Sequence, residues 1–279
     1  MKIKVLNTVD PIYSEVELKK LKKYCEIKTE LYSRKKAITY LKNCEVILAG
    51  GRIKIDNELI QKAKKLKLIL SPSTGTDHLA LDTIKKKKIK VVTIAKKFKL
   101  INKFTATSEL SFCLLLSLSR KILTSFNDAK KGVWSRDKNV GFQLKDKTIG
   151  ILGLGRLGKI SAKIARGFQM KVIAHDIKKI KVNGVKNVSF NNLLKFSDVI
   201  FIHVHLNKST ENLINLKALK KMKKNSILIN SSRGKIINEK DLLYALKKKI
   251  IAGAGLDVID GEWLNKKKLS KHPLITYSK

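Results

Sequence analysis

Thr148-Ile149-Gly150-Ile151-Leu152-Gly153-Leu154-Gly155-Arg156-Leu157-Gly158, followed by an apolar run that ends at His175-Asp176, decides the fold. Ile149, Ile151 and Leu152 make a short apolar strand that runs straight into glycines at GxGxxG spacing. Gly153 permits the tight turn, Gly155 lets the backbone approach a pyrophosphate, and Gly158 lets the following helix pack close to the strand. The spacing predicts a helix with Leu157, Ile160, Ile164 and Phe168 on one face and its N-terminal amides aimed at the phosphate. A second strand, Lys171-Val-Ile-Ala174, delivers Asp176 eighteen residues past Gly158, close to the spacing at which an acid meets the adenosine ribose. Strand, glycines, helix, strand and acid, in that order, imply a dinucleotide site. The alternative is a glycine-rich turn in an empty α/β domain.

Outward from this motif, the chain alternates strands and helices. Before it, residues 3–6, 46–48, 66–70 and 91–93 are short apolar runs separated by amphipathic or lysine-rich segments. One of these, 57–65, turns Leu59, Ile60 and Ala63 inward. That rhythm predicts a parallel sheet with helices on its faces. Residues 105–123 read as one long helix that is apolar on more than one side, suited to burial between domains or against a second subunit. After the motif come strands at 199–204, 226–230 and 251–258, and a helix that begins at Asn238 as cap with acids in its first turn. The prediction is an α/β chain of two Rossmann/flavodoxin-like lobes: residues 1–100, and a dinucleotide-binding domain at 101–279. Ligands of such sheets bind at the carboxyl ends of the strands.

Composition narrows the function classes. The 279 residues carry 61 Lys+Arg against 22 Asp+Glu, a formal charge of +39, yet only seven of the basic residues are arginine. Nucleic-acid binders concentrate arginine and interleave it with aromatics. Lysine runs at 85–88, 247–249 and 266–268 fit solvated faces better, so specific nucleic-acid binding is not expected. Cys25, Cys44 and Cys113 form no CxxC, which points to neither a disulfide framework nor a metal site. The N-terminus reads as a strand without a signal-peptide core, and the apolar stretch 110–118 is too short for a bilayer. A cytoplasmic protein is expected.

At the strand ends stand His203-Val204-His205, Asn230-Ser231-Ser232-Arg233-Gly234, Leu256-Asp257-Val258 and Glu262. A histidine, an arginine and two acids thus gather near the dinucleotide cleft. This ordering resembles the NAD-dependent D-2-hydroxyacid dehydrogenase family, which includes phosphoglycerate dehydrogenase and the glyoxylate/hydroxypyruvate reductases. The resemblance begins at Leu66-Lys-Leu-Ile-Leu-Ser-Pro-Ser-Thr-Gly-Thr-Asp77-His78. It continues through Thr105-Ala-Thr-Ser-Glu109, Gly132-Val-Trp134, the glycine motif, Ser197-Asp198, Ser231-Ser-Arg-Gly234 and Gly255-Leu-Asp-Val258. It implies hydride transfer between NAD(H) and C2 of a small 2-hydroxy or 2-keto acid, in a homodimer assembled through the Rossmann lobe. Arg233 is implied to bind the substrate carboxylate and keto oxygen, a bidentate task that lysine does not perform. Backbone amides near Ser73, Thr74 and Gly75 are implied to hold the carboxylate from the first lobe. Glu262 matches the acid that orients the family's catalytic histidine, although Trp263 stands where the family usually has proline. Asp257 is implied to meet the nicotinamide amide, and His203, Val204, Thr210, Ser231 and Ser232 to line the cofactor. Arg156 and Leu157 offer amides to the pyrophosphate. Asp176 favours NAD over NADP, because a carboxylate bonds the 2′-hydroxyl and repels a 2′-phosphate, with Lys178 and Lys179 close enough to soften the preference. Arg52, in Ala49-Gly-Gly-Arg52, reads either as a partner for a phosphate or second carboxylate or as a surface residue.

The resemblance also implies a proton-transferring histidine in a Pro-His step beyond a His-Pro-Leu segment. The sequence has His272-Pro-Leu-Ile275 and stops at Lys279, so that step, the last strand and a closing helix are expected to be missing. His272 itself occupies the earlier, non-catalytic position. A dehydrogenase with a truncated or shifted reading frame is the favoured account. An NAD(H)-binding homologue that acts as a sensor without turnover is the alternative.

Overall fold

The computed structural model describes residues 2–9, 15–262 and 269–277. Trp263 and the lysine run 266–268 lie outside the described residues. The chain divides into two compact units, Met1–Lys103 and Phe104–Lys279.

In the first unit, β1 (Ile3–Asn7), β2 (Cys25–Thr29), β3 (Val46–Leu48), β4 (Leu68–Ser71) and β5 (Lys90–Thr93) form a parallel sheet in the order β2-β1-β3-β4-β5. Crossovers carry α1 (Glu15–Tyr24), α2 (Arg34–Leu41), α3 (Asn57–Lys62) and α4 (Leu81–Lys86), and α5 (Phe98–Ile101) follows the last strand. This is the flavodoxin-like order. The Asp56 carboxylate caps α3 by accepting from the Leu59 N–H at 3.1 Å. Leu59, Ile60 and Ala63 face the core as the periodicity predicts, while the helix ends three residues short of the expected limit because Ala63 leaves helical geometry. Edge strand β2 contains no apolar run: Cys25-Glu-Ile-Lys-Thr alternates apolar and charged residues, as a strand at a sheet edge does.

The second unit contains β6 (Thr148–Leu152), β7 (Lys171–His175), β8 (Lys186–Asn187), β9 (Val199–Ile202), β10 (Ile227–Asn230) and β11 (Gly253–Leu256). All pair in parallel in the order β11-β10-β9-β6-β7-β8. Counted from β6, this is 3-2-1-4-5-6, the doubly wound order of dinucleotide-binding domains. Its helices are α6 (Ala106–Ser119), α7 (Ile122–Lys130), α8 (Arg156–Gly167), α9 (Phe190–Phe196), α10 (Leu216–Leu219), α11 (Glu239–Lys247) and α12 (Pro273–Thr276). Strand periodicity divides the core. On β9, Val199 and Phe201 point to one face with Phe112, Ile149 and Ile151, whereas Ile200 and Ile202 point to the other with Leu193, Leu228 and Leu242. At the base of the sheet, Asp198 accepts from the Thr148 N–H at 2.8 Å and from Lys223 Nζ at 2.7 Å. Burial pushes this carboxyl up, but Lys223 and the Thr148 amide outweigh burial and hold it below the ordinary carboxylate value.

Three further expectations are corrected. The single helix at 105–123 is two helices, because α6 ends at Ser119 and Lys121 adopts a left-handed φ of 54° before α7 begins. The Phe142 N–H donates to the Ser119 carbonyl at 2.9 Å, so the returning chain caps the end of α6. The inward face of α8 is also different. Gly158, Ser161, Ala162 and Ala165 are buried, while Leu157, Ile160 and Ile164 are half-buried and Phe168 is 37% exposed. Small residues let the helix lie close against β6, and the larger apolar side chains fall on its flanks. The strands expected at 199–204 and 251–258 stop at Ile202 and Leu256, where the chain leaves the ladder for the loops of the site, and those expected from 226 and 251 begin at Ile227 and Gly253.

Candidate functional site

The glycine turn is built by hydrogen bonds from its neighbours. Gly153 sits at φ 96°, its N–H donates to the His175 carbonyl at 2.8 Å, and the His203 N–H donates to the Leu152 carbonyl at 2.7 Å. A Cβ on Gly153 would lie 2.8 Å from the His203 carbonyl, and one on Gly158 would lie 2.1 Å from the Gly153 carbonyl. Both glycines are therefore required by close backbone approach. Gly155 differs, because a Cβ there would enter open space. It also caps α8 without a side-chain acceptor, leaving first-turn N–H groups of a twelve-residue helix to an anion. An open cradle at the one glycine that should face a pyrophosphate fits a dinucleotide.

Asp176 follows β7 beside this turn. Its Oδ2 accepts from the Leu154 N–H at 2.7 Å and its Oδ1 from the Lys178 N–H at 2.9 Å. The acid thus holds the glycine loop and keeps lone pairs for a ribose hydroxyl. Arg156 Nη1 donates to the Phe104 carbonyl at 2.6 Å, and Leu157 accepts from Ser108 Oγ at 3.3 Å, so α6 and the start of α8 are tied together. Burial lowers the Arg156 pKa from its ordinary value, which leaves the guanidinium charged at neutral pH.

His203 ends β9. Its Nε2 lies 2.8 Å from Ser161 Oγ on α8, and its Nδ1 is buried without a hydrogen-bond partner. Burial pushes its pKa down to about 4, so the imidazole is neutral at physiological pH. Ser161 was not singled out from sequence; it lies one helical turn past Leu157, on the buried face of α8 that packs on β6 and β7. Val204 receives the Ser232 hydroxyl on its carbonyl. The Thr210 hydroxyl is engaged within its own loop, donating to the His205 carbonyl at 2.6 Å and accepting from the Asn207 N–H at 2.8 Å.

Arg233 follows β10 in a turn shaped by Asn230, a fully buried residue that sequence reading left without a role. Asn230 Oδ1 accepts from the Ser232 N–H and Nδ2 donates to the Arg233 carbonyl, both at 3.0 Å. Ser231 Oγ pairs with Ser111 Oγ of α6 at 2.8 Å. The Asp257 N–H donates to the Asn230 carbonyl at 3.0 Å, which aligns the loop after β11 with the loop after β10. Glu262 is half-buried at the end of that loop. The structure therefore brings the glycine turn, Asp176, His203, Val204, Ser231, Ser232, Arg233 and Asp257 to the carboxyl ends of adjacent strands of one sheet.

In the first unit, Ser73, Thr74 and Gly75 form the loop after β4. The Ser73 N–H donates to Ser71 Oγ at 3.3 Å, and Ser71 Oγ lies 3.4 Å from buried His78 Nε2. Arg52, on the loop after β3, donates to the Tyr32 hydroxyl at 2.6 Å. Among the described residues there is no group of three His, Cys, Asp or Glu side chains placed to hold a metal ion, and no helix long and apolar enough to cross a membrane.

Comparison with known proteins agrees with this geometry. Residues 5–98 match the catalytic domain, and residues 112–278 the NAD binding domain, of D-isomer specific 2-hydroxyacid dehydrogenases. The chain is 36% identical over 262 residues to a glyoxylate reductase of Thermococcus litoralis, an alignment covering 88% of this chain and 77% of that one. It is 36% identical over 241 residues to a D-3-phosphoglycerate dehydrogenase of Archaeoglobus fulgidus, covering 85% of this chain and 45% of the relative. Among solved structures, the D-lactate dehydrogenase of Aquifex aeolicus complexed with NAD and lactic acid superposes with a TM-score of 0.86 at 31% identity, covering 96% and 80% of the two chains. With a 3-2-1-4-5-6 sheet, a glycine cradle open at Gly155 and a match that runs through both units, this chain belongs to the D-isomer specific 2-hydroxyacid dehydrogenase family.

Proposed function

We propose that the protein transfers hydride between NAD(H) and C2 of a small D-2-hydroxy acid or its 2-keto counterpart, of the phosphoglycerate, hydroxypyruvate or glyoxylate class. The observation that carries this reading is the strand-end cluster of the second unit, in which the glycine turn and Asp176 share one end of the sheet with the loops of Arg233 and Asp257, bridged by the His203–Val204 loop. When bound, NAD supplies the hydride acceptor or donor. First-turn amides of α8, with Arg156 and Leu157, hold the pyrophosphate, Asp176 takes the adenosine ribose, and Asp257 meets the nicotinamide amide. Val204, Thr210, Ser231 and Ser232 line the remainder, and neutral His203 supports the turn from beneath. Arg233 binds the substrate carboxylate and keto oxygen, and Glu262 supplies the acid of the proton-transfer machinery. NADH oxidation in the presence of hydroxypyruvate or glyoxylate, abolished by Arg233→Ala, is the test; loss of neither activity nor substrate affinity in that variant would remove Arg233 from the site.

A second reading is an NAD(H)-binding homologue that acts as a sensor without turnover. Saturable NADH binding with no oxidation across a panel of 2-keto acids would establish this reading over the first.

The assembly we infer is a homodimer through the second unit. Ile122, Leu123, Phe126 and Val140 are exposed and Trp134 is 89% exposed, a concentration of apolar surface that soluble monomers seldom leave uncovered. Three free cysteines support a reducing, cytoplasmic setting.

A further inference from the structure

Glu239, the first residue of α11, lies outside every motif that pointed to the site. Its Oε1 accepts from the Asp260 N–H at 2.6 Å, and its Oε2 lies 3.0 Å from His272 Nε2. Asp260 belongs to the loop that carries Asp257 and Glu262. The same loop is pressed against the Arg233 turn, since a Cβ on Gly234 would lie 2.1 Å from the Ile259 carbonyl carbon and 2.3 Å from the Asp260 nitrogen. The His272 tautomer follows from its partners. Nδ1 accepts from the Leu274 N–H that it caps, so Nε2 carries the hydrogen and donates to Glu239. Glu239 is therefore an acceptor for two donors at once, at the N-terminal end of a helix, where a carboxylate is favoured. Both partners are well shielded: the side chains of His272 and Glu239 are 16% and 17% exposed.

We propose that Glu239 is a positioning residue for the dinucleotide's nicotinamide end. By holding the Asp260 amide and the His272 imidazole together, it fixes the 257–262 loop against the Arg233 turn and so sets where Asp257 stands. This rests on the assignment of Asp257 to the nicotinamide amide. No other acceptor of similar reach fits both donors. Glutamine offers a single acceptor oxygen, and its amide NH2 would face the His272 N–H or force the imidazole into the tautomer that opposes Leu274.

The test compares two ligands that share adenine, both riboses and the pyrophosphate, NADH and ADP-ribose, of which only NADH carries nicotinamide. Binding is read by calorimetry on the full chain, so turnover is not required. Glu239→Gln is expected to raise the NADH dissociation constant about tenfold and to leave ADP-ribose within twofold. His272→Asn, which keeps a good helix cap but no longer reaches Glu239, is expected to weaken NADH two- to threefold with ADP-ribose again unchanged. Equal weakening of both ligands would mean that Glu239 acts through general stability, and unchanged NADH binding would mean that the loop is held without it; either result overturns the proposal. Failure of the unsubstituted chain to bind ADP-ribose would instead overturn the dinucleotide assignment itself, and the proposal with it. If Glu239→Gln does not fold, the ligand selectivity of His272→Asn decides.

Discussion

Both oxygens of Asp176 carry backbone hydrogen bonds, one from the glycine loop and one from Lys178, so this residue does two things that sequence spacing alone presents as one. It holds the glycine turn, and in the proposed function it also selects the cofactor. Asp176→Ala is expected to weaken NAD on the order of tenfold or more, as loss of a charged hydrogen bond does, and to weaken NADP less, because a 2′-phosphate gains from removal of the charge. Equal losses in titrations of the two would leave only the turn-holding role. His203 makes a prediction in pH. Its folded pKa of about 4 lies below the value of ~6.5 expected in the unfolded chain, so acid favours unfolding. The stability involved is complete above about pH 6.5 and is lost as the pH falls toward 4, amounting to about 3 kcal/mol. The fall in melting temperature between pH 7 and pH 5, a range above most carboxylate titration, should flatten in His203→Gln. An unchanged slope in that variant would place the acid sensitivity elsewhere.

The element that matters most is β6 with its turn and α8, and here two glycines with the same sequence signature separate. Gly155→Ala adds a methyl group to open space at an ordinary φ of −72°. It should fold with a melting temperature close to that of the parent and lose dinucleotide affinity at least tenfold, because the methyl group occupies the pyrophosphate cradle. Gly158→Ala drives a methyl group to 2.1 Å from the Gly153 carbonyl and should cost several kcal/mol by prying α8 from the strand, in the range of overpacked cores. Thermal melts and NADH titrations of the two variants check both statements; a Gly158→Ala protein as stable as its parent would mean that the helix approaches less closely than described. A period of 3.6 marks Leu157, Ile160, Ile164 and Phe168 as the natural buried face, and packing buries Gly158, Ser161, Ala162 and Ala165 instead. Periodicity scores hydrophobicity, whereas a helix lying close to a sheet selects small volume. The break of α6 at Ser119 is hidden for a related reason: the carbonyl it frees is satisfied by the Phe142 N–H, a partner twenty-three residues away that no local window contains.

For the whole molecule, the exposed apolar surface of α7 and the segment after it makes the assembly testable. Leu123→Glu with Phe126→Glu should convert a dimer to a monomer in analytical ultracentrifugation while NADH binding persists. A parent chain that sediments as a monomer at micromolar concentration would remove the homodimer. The charge of +39 belongs to the same scale. It is spread over lysines, and the ion pairs described, such as Lys62–Glu58 and Lys67–Glu45, are surface pairs worth little. The sequence by itself determined the α/β class, the dinucleotide signature and the order of the site motifs, because glycine geometry, strand–helix rhythm and acid spacing are local properties of the chain. Only the tertiary structure decided which face of α8 is buried, that His203 is neutral against Ser161, that Asn230 shapes the Arg233 turn and that Glu239 joins Asp260 to His272. Each of these depends on donors and acceptors far apart in sequence, brought together when the sheet aligns its strand ends, and desolvation in that packed interior sets which of them titrate.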